Sequence, residues 1–158
     1  MIRRLSLSPW YYSFQWKLYH RLIPTGRYLH LRRLRNDASC SICDESSDTL
    51  EHFFFYCIPV RALWADLESS LVRCDANISL SREVCVLRAV NGGIPLNTIL
   101  VWTRAYIYRS KLSDSISTYA RLRAVLQTQY DLLCTLATRA GRMDTFLPAW
   151  STFSSFFT

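Results

Sequence analysis

Apolar residues recur every fourth position after Ser8-Pro9, at Trp10, Phe14, Leu18 and Leu22, and predict a helix over residues 9–22 with proline in its first turn. Tyr11, Trp16, Lys17, His20 and Arg21 fall on its other side. Pro24-Thr25-Gly26 interrupts the pattern, and Thr25 is placed to cap a second short helix through Leu34. Tyr28, Leu31 and Leu34 are its expected inward residues, with Arg27, Arg32 and Arg33 elsewhere on its surface. Farther along, Pro59 opens a third helix whose stripe of Val60, Leu63, Trp64, Leu67 and Leu71 reads as core. A weaker helix is expected over 79–90, capped by Ser79 or Ser81 and ended by Asn91-Gly92-Gly93. Residues 95–112 carry Ile99, Val101, Trp102, Ala105, Tyr106 and Tyr108 and predict a well-buried fifth helix. Asp114 or Ser115 then caps a long helix to about Ala140, with Ile116, Tyr119, Leu122, Leu126, Tyr130, Leu133 and Leu136, and Gly141 terminates it. The aromatic tail, with Phe146, Trp150, Phe153, Phe156 and Phe157, has no clean period; it packs back or frays.

No segment sustains a period of two, and four glycines and five prolines in 158 residues are too few for a many-turn β-sandwich. The expected fold is mainly α, an irregular helical bundle. The expected organisation is a basic arm plus a small metal module over residues 1–72 and a helical extension over 73–158. The longest apolar run, Phe53 to Val60, is far too short to span a bilayer. Residues 1–12 hold Arg3 and Arg4 and serines but no apolar leader, so a reducing intracellular compartment is expected, with the nucleus open to it.

That compartment changes how the six cysteines are read. Cys40, Cys43, His52 and Cys57 stand in the spacing C-x2-C-x8-H-x4-C. Thiolate and imidazole are preferred ligands of tetrahedral Zn2+, and a closed Cys3His shell leaves no open position, so a structural rather than a catalytic zinc is expected. The stretch Ser39 to Asp48 is polar and turn-prone, suited to wrapping an ion, while His52 and Cys57 are placed in a short helix and just past its end. Cys74, Cys85 and Cys134 lack such spacing and read as small core residues.

The net charge of +7 is unevenly placed. Met1 to Asn36 carry Arg3, Arg4, Lys17, Arg21, Arg27, Arg32, Arg33 and Arg35 and no acid, after which acids predominate to Leu71. Seventeen arginines against two lysines favour planar, bidentate contacts with phosphate. Lys17, Arg21, Arg27, Tyr28, Arg32, Arg33 and Arg35 are therefore the candidate nucleic-acid-binding residues, with Trp16, Tyr28 and His30 as candidate stacking platforms for unpaired bases. The alternative is a solvated face whose arginines pair with the acids that follow. No nucleophile and base are placed for catalysis, so no enzyme activity and no small-molecule substrate are expected.

Several words of the sequence also match a known family in order and spacing: Phe14-Gln15-Trp16-Lys17-Leu18-Tyr19-His20-Arg21-Leu22-Ile23-Pro24-Thr25, Leu29-His30, Cys40-x2-Cys43, Thr49-Leu50-Glu51-His52-Phe53-Phe54-Phe55-x-Cys57, and Leu63-Trp64. Over residues 10–67 the chain resembles the zinc-binding domain at the C-terminal end of non-LTR (LINE-type) retrotransposon reverse transcriptases. Residues 99–101 and 106–112 resemble, less specifically, the helical segment that follows it. The resemblance implies a non-catalytic tail that helps hold RNA template or target DNA, with Cys40, Cys43, His52 and Cys57 as zinc ligands. The alternative is a zinc-stabilised interaction scaffold whose later helices dock on polymerase domains; either way a truncated or orphan fragment without reverse transcriptase activity is expected. Ser41 and Ile58 depart from the prolines that many members place after the first and fourth ligands; neither is a ligand.

Overall fold

The computed structural model describes residues 8–74, 78–87, 90 and 93–157; Arg3 and Arg4 of the basic arm, and Asn91 and Gly92 of the expected helix stop, lie outside them. The fold is helical, with no strand among the described residues. In chain order it has α1 (Pro9–Tyr19), α2 (Gly26–Leu31), a π-helical turn (His52–Tyr56), α3 (Ile58–Val72), α4 (Arg82–Val86), α5 (Gly93–Leu112), α6 (Tyr119–Arg139), α7 (Met143–Trp150) and a closing 3-10 helix (Ser151–Phe156).

The centre of the bundle is α5. Pro95 to Ala105 are all buried, as are Ile107, Ser110 and Lys111. A helix covered on every side has to be surrounded, and α1, α4, α6, α7 and the π-turn all pack on it. Arg104, 3% exposed, lies in that interior. Its guanidinium donates to the backbone carbonyls of Cys85 and Val84 and so satisfies the C-terminal end of the five-residue α4. Burial lowers the Arg104 pKa to about 10, which still leaves it charged at neutral pH. The sequence pattern showed no sign of a cation at this depth.

The stripe expected of α3 is the one observed: Val60, Leu63, Trp64, Leu67 and Leu71 are buried. On α1 the pattern turns. Tyr11, Phe14, Gln15 and Leu18 face the core, while Trp10 and Leu22 lie outward. A strict spacing of four drifts about 40° per step around a helix that advances about 100° per residue, so the i, i+3, i+4, i+7 set holds the contact instead. Leu31 and Leu34, expected inward, are 70% and 72% exposed.

Leu34 is outward because it falls past the end of α2. The Arg21 N–H donates to the Leu18 carbonyl and the Leu22 N–H to the Lys17 carbonyl, with Arg21 left-handed at φ 55°. The same pair of bonds, from Arg33 to His30 and Leu34 to Leu29, closes α2 with Arg33 at φ 58°. Asp114, expected as a cap for α6, instead holds the left-handed position that closes α5, at φ 47°. All three are Schellman ends built without glycine. Among the described residues, α6 alone has that position filled by the glycine that the sequence pattern relies on, Gly141 at φ 62°. The cap of α6 is Thr118, whose Oγ1 accepts from the Arg121 N–H.

The tail packs back. The Trp150 ring stacks on Trp102 at 6.0 Å, and Phe157 lies parallel on Tyr130 at 4.2 Å. Cys74 and Cys85 are buried as expected, whereas Cys134 is only half-buried on α6. Burial pushes the Cys85 thiol up to about 12, which keeps it protonated and inert. Because the tail lies against α5, Trp150→Ala is expected to cost about 3–5 kcal/mol. Urea unfolding followed by far-UV circular dichroism measures it, and a loss under about 1 kcal/mol means that the tail is not part of the cooperative core.

Candidate metal centre

The two halves of the site are built differently. Cys40 and Cys43 sit on a tight knuckle in which the Cys40 N–H donates to the Glu45 carbonyl and the Asp44 N–H returns to the Cys40 carbonyl. Asp44 turns the chain at φ 57°, a conformation that aspartate tolerates better than most residues. The backbone amides of Ile42 and Cys43 face the Cys40 sulfur, so this bend already favours a thiolate there.

His52 and Cys57 are presented by the π-turn. In an α-helix, residues five apart lie about 140° apart around the axis, too far round to bind one ion. Here the Cys57 N–H donates to the His52 carbonyl at 3.0 Å, an i to i+5 bond that widens the turn and brings the two side chains toward one side. Thr49 Oγ1 caps the approach by accepting from the His52 N–H, and Trp64 Nε1 donates to the Phe54 carbonyl at 2.7 Å, anchoring the turn to α3.

The four ligand atoms lie within 4.8 Å of one another. Cys40 Sγ is 3.9 Å from Cys57 Sγ, Cys57 Sγ is 3.7 Å from Cys43 Sγ, and His52 Nε2 is 3.3 Å from Cys43 Sγ. A tetrahedral zinc shell requires about 3.8 Å between sulfurs and about 3.6 Å between sulfur and nitrogen. A disulfide requires sulfurs at about 2.05 Å, and all six cysteines are free thiols. The contact between the Cys40 and Cys57 sulfurs holds the Cys40 pKa down, while the same contact and burial push Cys57 up. Metal ligands of this kind bind as thiolates and release their protons when a cation enters. The donor set, its spacing and its enclosure fit a four-coordinate metal ion.

A polar knot supports this cluster from behind. Lys111, near the C-terminal end of α5 and 6% exposed, places Nζ 3.4 Å from Cys40 Sγ, 3.3 Å from Asp48 Oδ1 and 4.4 Å from the centre of the Phe53 ring. Asp48 is buried too, and its Oδ2 accepts from the Gly26 N–H at 2.9 Å. Burial raises the Asp48 pKa, opposed by the Gly26 amide and by Lys111. Gly26 must be glycine, since a Cβ there falls 2.4 Å from the Ser39 carbonyl and 2.7 Å from that of Ala38. Sequence reasoning missed all three: Asp48 looked like a turn former, Gly26 a helix breaker, and Lys111 lies 71 residues from the sulfur it faces.

The candidate nucleic-acid residues lie on α1, α2 and the segments just after them. Lys17, Arg21, Arg27, Arg32 and Arg33 are exposed, and Tyr28 and Arg35 are half-buried. Arg21 approaches Glu51 at 3.9 Å and Arg35 approaches Asp37 at 3.3 Å, both near solvent and of little energetic weight. Lys17, Arg27, Arg32 and Arg33 form no ion pair among the described residues. Arg32 leans over the Tyr28 ring at 5.4 Å, and Trp16, 55% exposed, packs on His20 at 4.4 Å. His30 Nδ1 lies 3.3 Å from the Arg35 carbonyl.

Residues 4–64 match a family model described as zinc-binding in reverse transcriptase. The match ends at Trp64, so it contains all four ligands, Asp48 and Gly26 but not Lys111. Neither the curated proteins nor the solved structures yielded a match.

Native mass spectrometry of the purified chain is expected to show one metal equivalent, lost in Cys40→Ser and in Cys57→Ser. An unmodified protein that binds no metal would overturn the site. Lys111→Met should keep the stoichiometry but weaken metal affinity about 10–100-fold, as loss of an outer-shell partner does; competition with a chromogenic chelator reads it. Gly26→Ala should destabilise the metal-loaded protein by about 1–3 kcal/mol through overpacking, seen as a lower Tm.

Proposed function

We propose that the chain is a non-catalytic nucleic-acid-binding module of the LINE-type reverse transcriptase class, in which Zn2+ on Cys40, Cys43, His52 and Cys57 shapes a basic surface that grips RNA template or target DNA. The observation that carries this reading is the set of unpaired cations on the metal-supported arm. Lys17, Arg27, Arg32 and Arg33 stand in solvent with no carboxylate partner among the described residues. Uncompensated cations and an exposed ring such as Trp16, both carried by this arm, are the two elements of single-strand binding, phosphate neutralisation and base stacking. The match of residues 4–64 to the zinc-binding model of reverse transcriptases supports the same direction. In this reading the zinc has a closed shell and performs no chemistry.

A second reading, a scaffold that docks on polymerase domains, is favoured by one observation. Leu31, Leu34 and Ile58 are apolar, and each is about 70% exposed or more. Exposed apolar side chains are common on globular surfaces, which ranks this reading second.

Fluorescence anisotropy with single-stranded RNA and DNA across a salt series tests the first reading. The logarithm of affinity should fall with the logarithm of salt concentration by about 0.7 per phosphate contacted. The triple variant Arg27→Gln, Arg32→Gln, Arg33→Gln should flatten that slope, and Trp16→Ala should cost about 1–3 kcal/mol if the ring stacks on a base. A response that is flat from low to physiological salt would falsify nucleic-acid binding by this arm.

A further inference from the structure

Away from the metal cluster, a pocket of about 280 Å3 opens between the C-terminal half of α3, the first turns of α6 and the closing 3-10 helix. Its walls carry two guanidinium groups, Arg73 and Arg123, and three hydroxyls, Ser70, Tyr119 and Ser155. Among the described residues no carboxylate lines it. Ser70 lies 13 residues beyond Cys57, about 20 Å along the axis of α3, so the pocket is separate from the metal centre.

The polar groups are held in place rather than splayed into solvent. Arg73 Nη2 donates to Ser70 Oγ at 2.8 Å, and the Tyr119 hydroxyl donates to the same oxygen. Arg123 donates to the Phe156 carbonyl and lies over the Phe156 ring at 4.2 Å from its centre. Ser155 Oγ donates to Cys74 Sγ, which fixes that hydroxyl at the pocket wall. A guanidinium has five N–H donors in a rigid fork, and the bonds above use one donor of each arginine. The first turn of α6, a 21-residue helix, adds the partial positive charge of a helix N-terminus.

Two fixed forks, the Ser70 hydroxyl and no opposing acid among the described residues suit a tetrahedral dianion better than a planar monoanion. We propose that this pocket binds a phosphoryl group, either a small phosphate ligand or a phosphate of a nucleic-acid strand. The volume admits a phosphate with a sugar-sized substituent. The assignment uses residues beyond Trp64 and stands whether or not the basic arm binds nucleic acid.

Isothermal titration of the metal-loaded full chain with inorganic phosphate tests it. Saturable binding is expected, weakened about tenfold or more by Arg73→Gln, the loss of one charge-assisted bond. Arg123→Lys, which keeps the charge and loses the fork, should weaken it as well. Arg121→Gln, an exposed position on α6 outside the pocket, should leave it unchanged. Competition then separates the sources, both of which support the pocket. Displacement by ribose 5-phosphate identifies a small phosphate ligand, whereas displacement only by an oligonucleotide, with or without its 5′-phosphate, identifies a strand phosphate. Absence of saturable phosphate binding at millimolar concentration, binding indifferent to Arg73→Gln in a variant that keeps its circular dichroism spectrum, or an equal loss in Arg121→Gln overturns the proposal.

Discussion

The ammonium of Lys111 joins parts of this molecule that are far apart in sequence. It faces the Cys40 sulfur of the knuckle, the Asp48 carboxylate and the ring of Phe53 in the π-turn, and it is carried by the central helix of the bundle. Each contact alone is modest, but a buried cation, carboxylate and sulfur must compensate one another or be expelled. Asp48 passes the constraint on through its bond to the Gly26 amide, which seats the N-terminus of α2 directly on the knuckle. The metal ligands and the helical bundle therefore share one polar knot, and the geometry of the one depends on the packing of the other.

The ligand spacing acquires a physical meaning from the π-turn. Four residues between His52 and Cys57 would be a poor choice for a regular helix, because it would turn the two side chains apart. The i to i+5 bond corrects that, and the bond from Trp64 to the Phe54 carbonyl holds the widened turn against α3. Helix, turn and ligand spacing are thus a single solution, with the aromatic run Phe53 to Tyr56 supplying the packing around it.

Much of this was legible from side-chain pattern alone. The four ligands announce themselves because thiol and imidazole spacing has few other uses, and the α3 stripe because its period is clean. Helix ends were less legible. Sequence rules look for glycine at a left-handed stop, and this chain, with four glycines, closes three helices on Arg21, Arg33 and Asp114. The expected ends of α1 and α2 run on to residues 22 and 34 for that reason, which puts Leu34 on a helix face that it does not occupy. The tail was ambiguous because ring stacking against α5 and α6, rather than any period of its own, gives it order. Lys111 and Arg104 were out of reach altogether: nothing local marks a cation whose partners lie 71 and 19 residues away.

The position of Lys111 late in the chain also orders events during synthesis. It follows Cys40 by 71 residues, so at about 5–20 residues per second roughly 4–14 seconds pass between the first ligand and the lysine. All four ligands leave the ribosome before the residue that neutralises their surroundings. A nascent chain thus displays all four donor side chains before α5 arrives to enclose them.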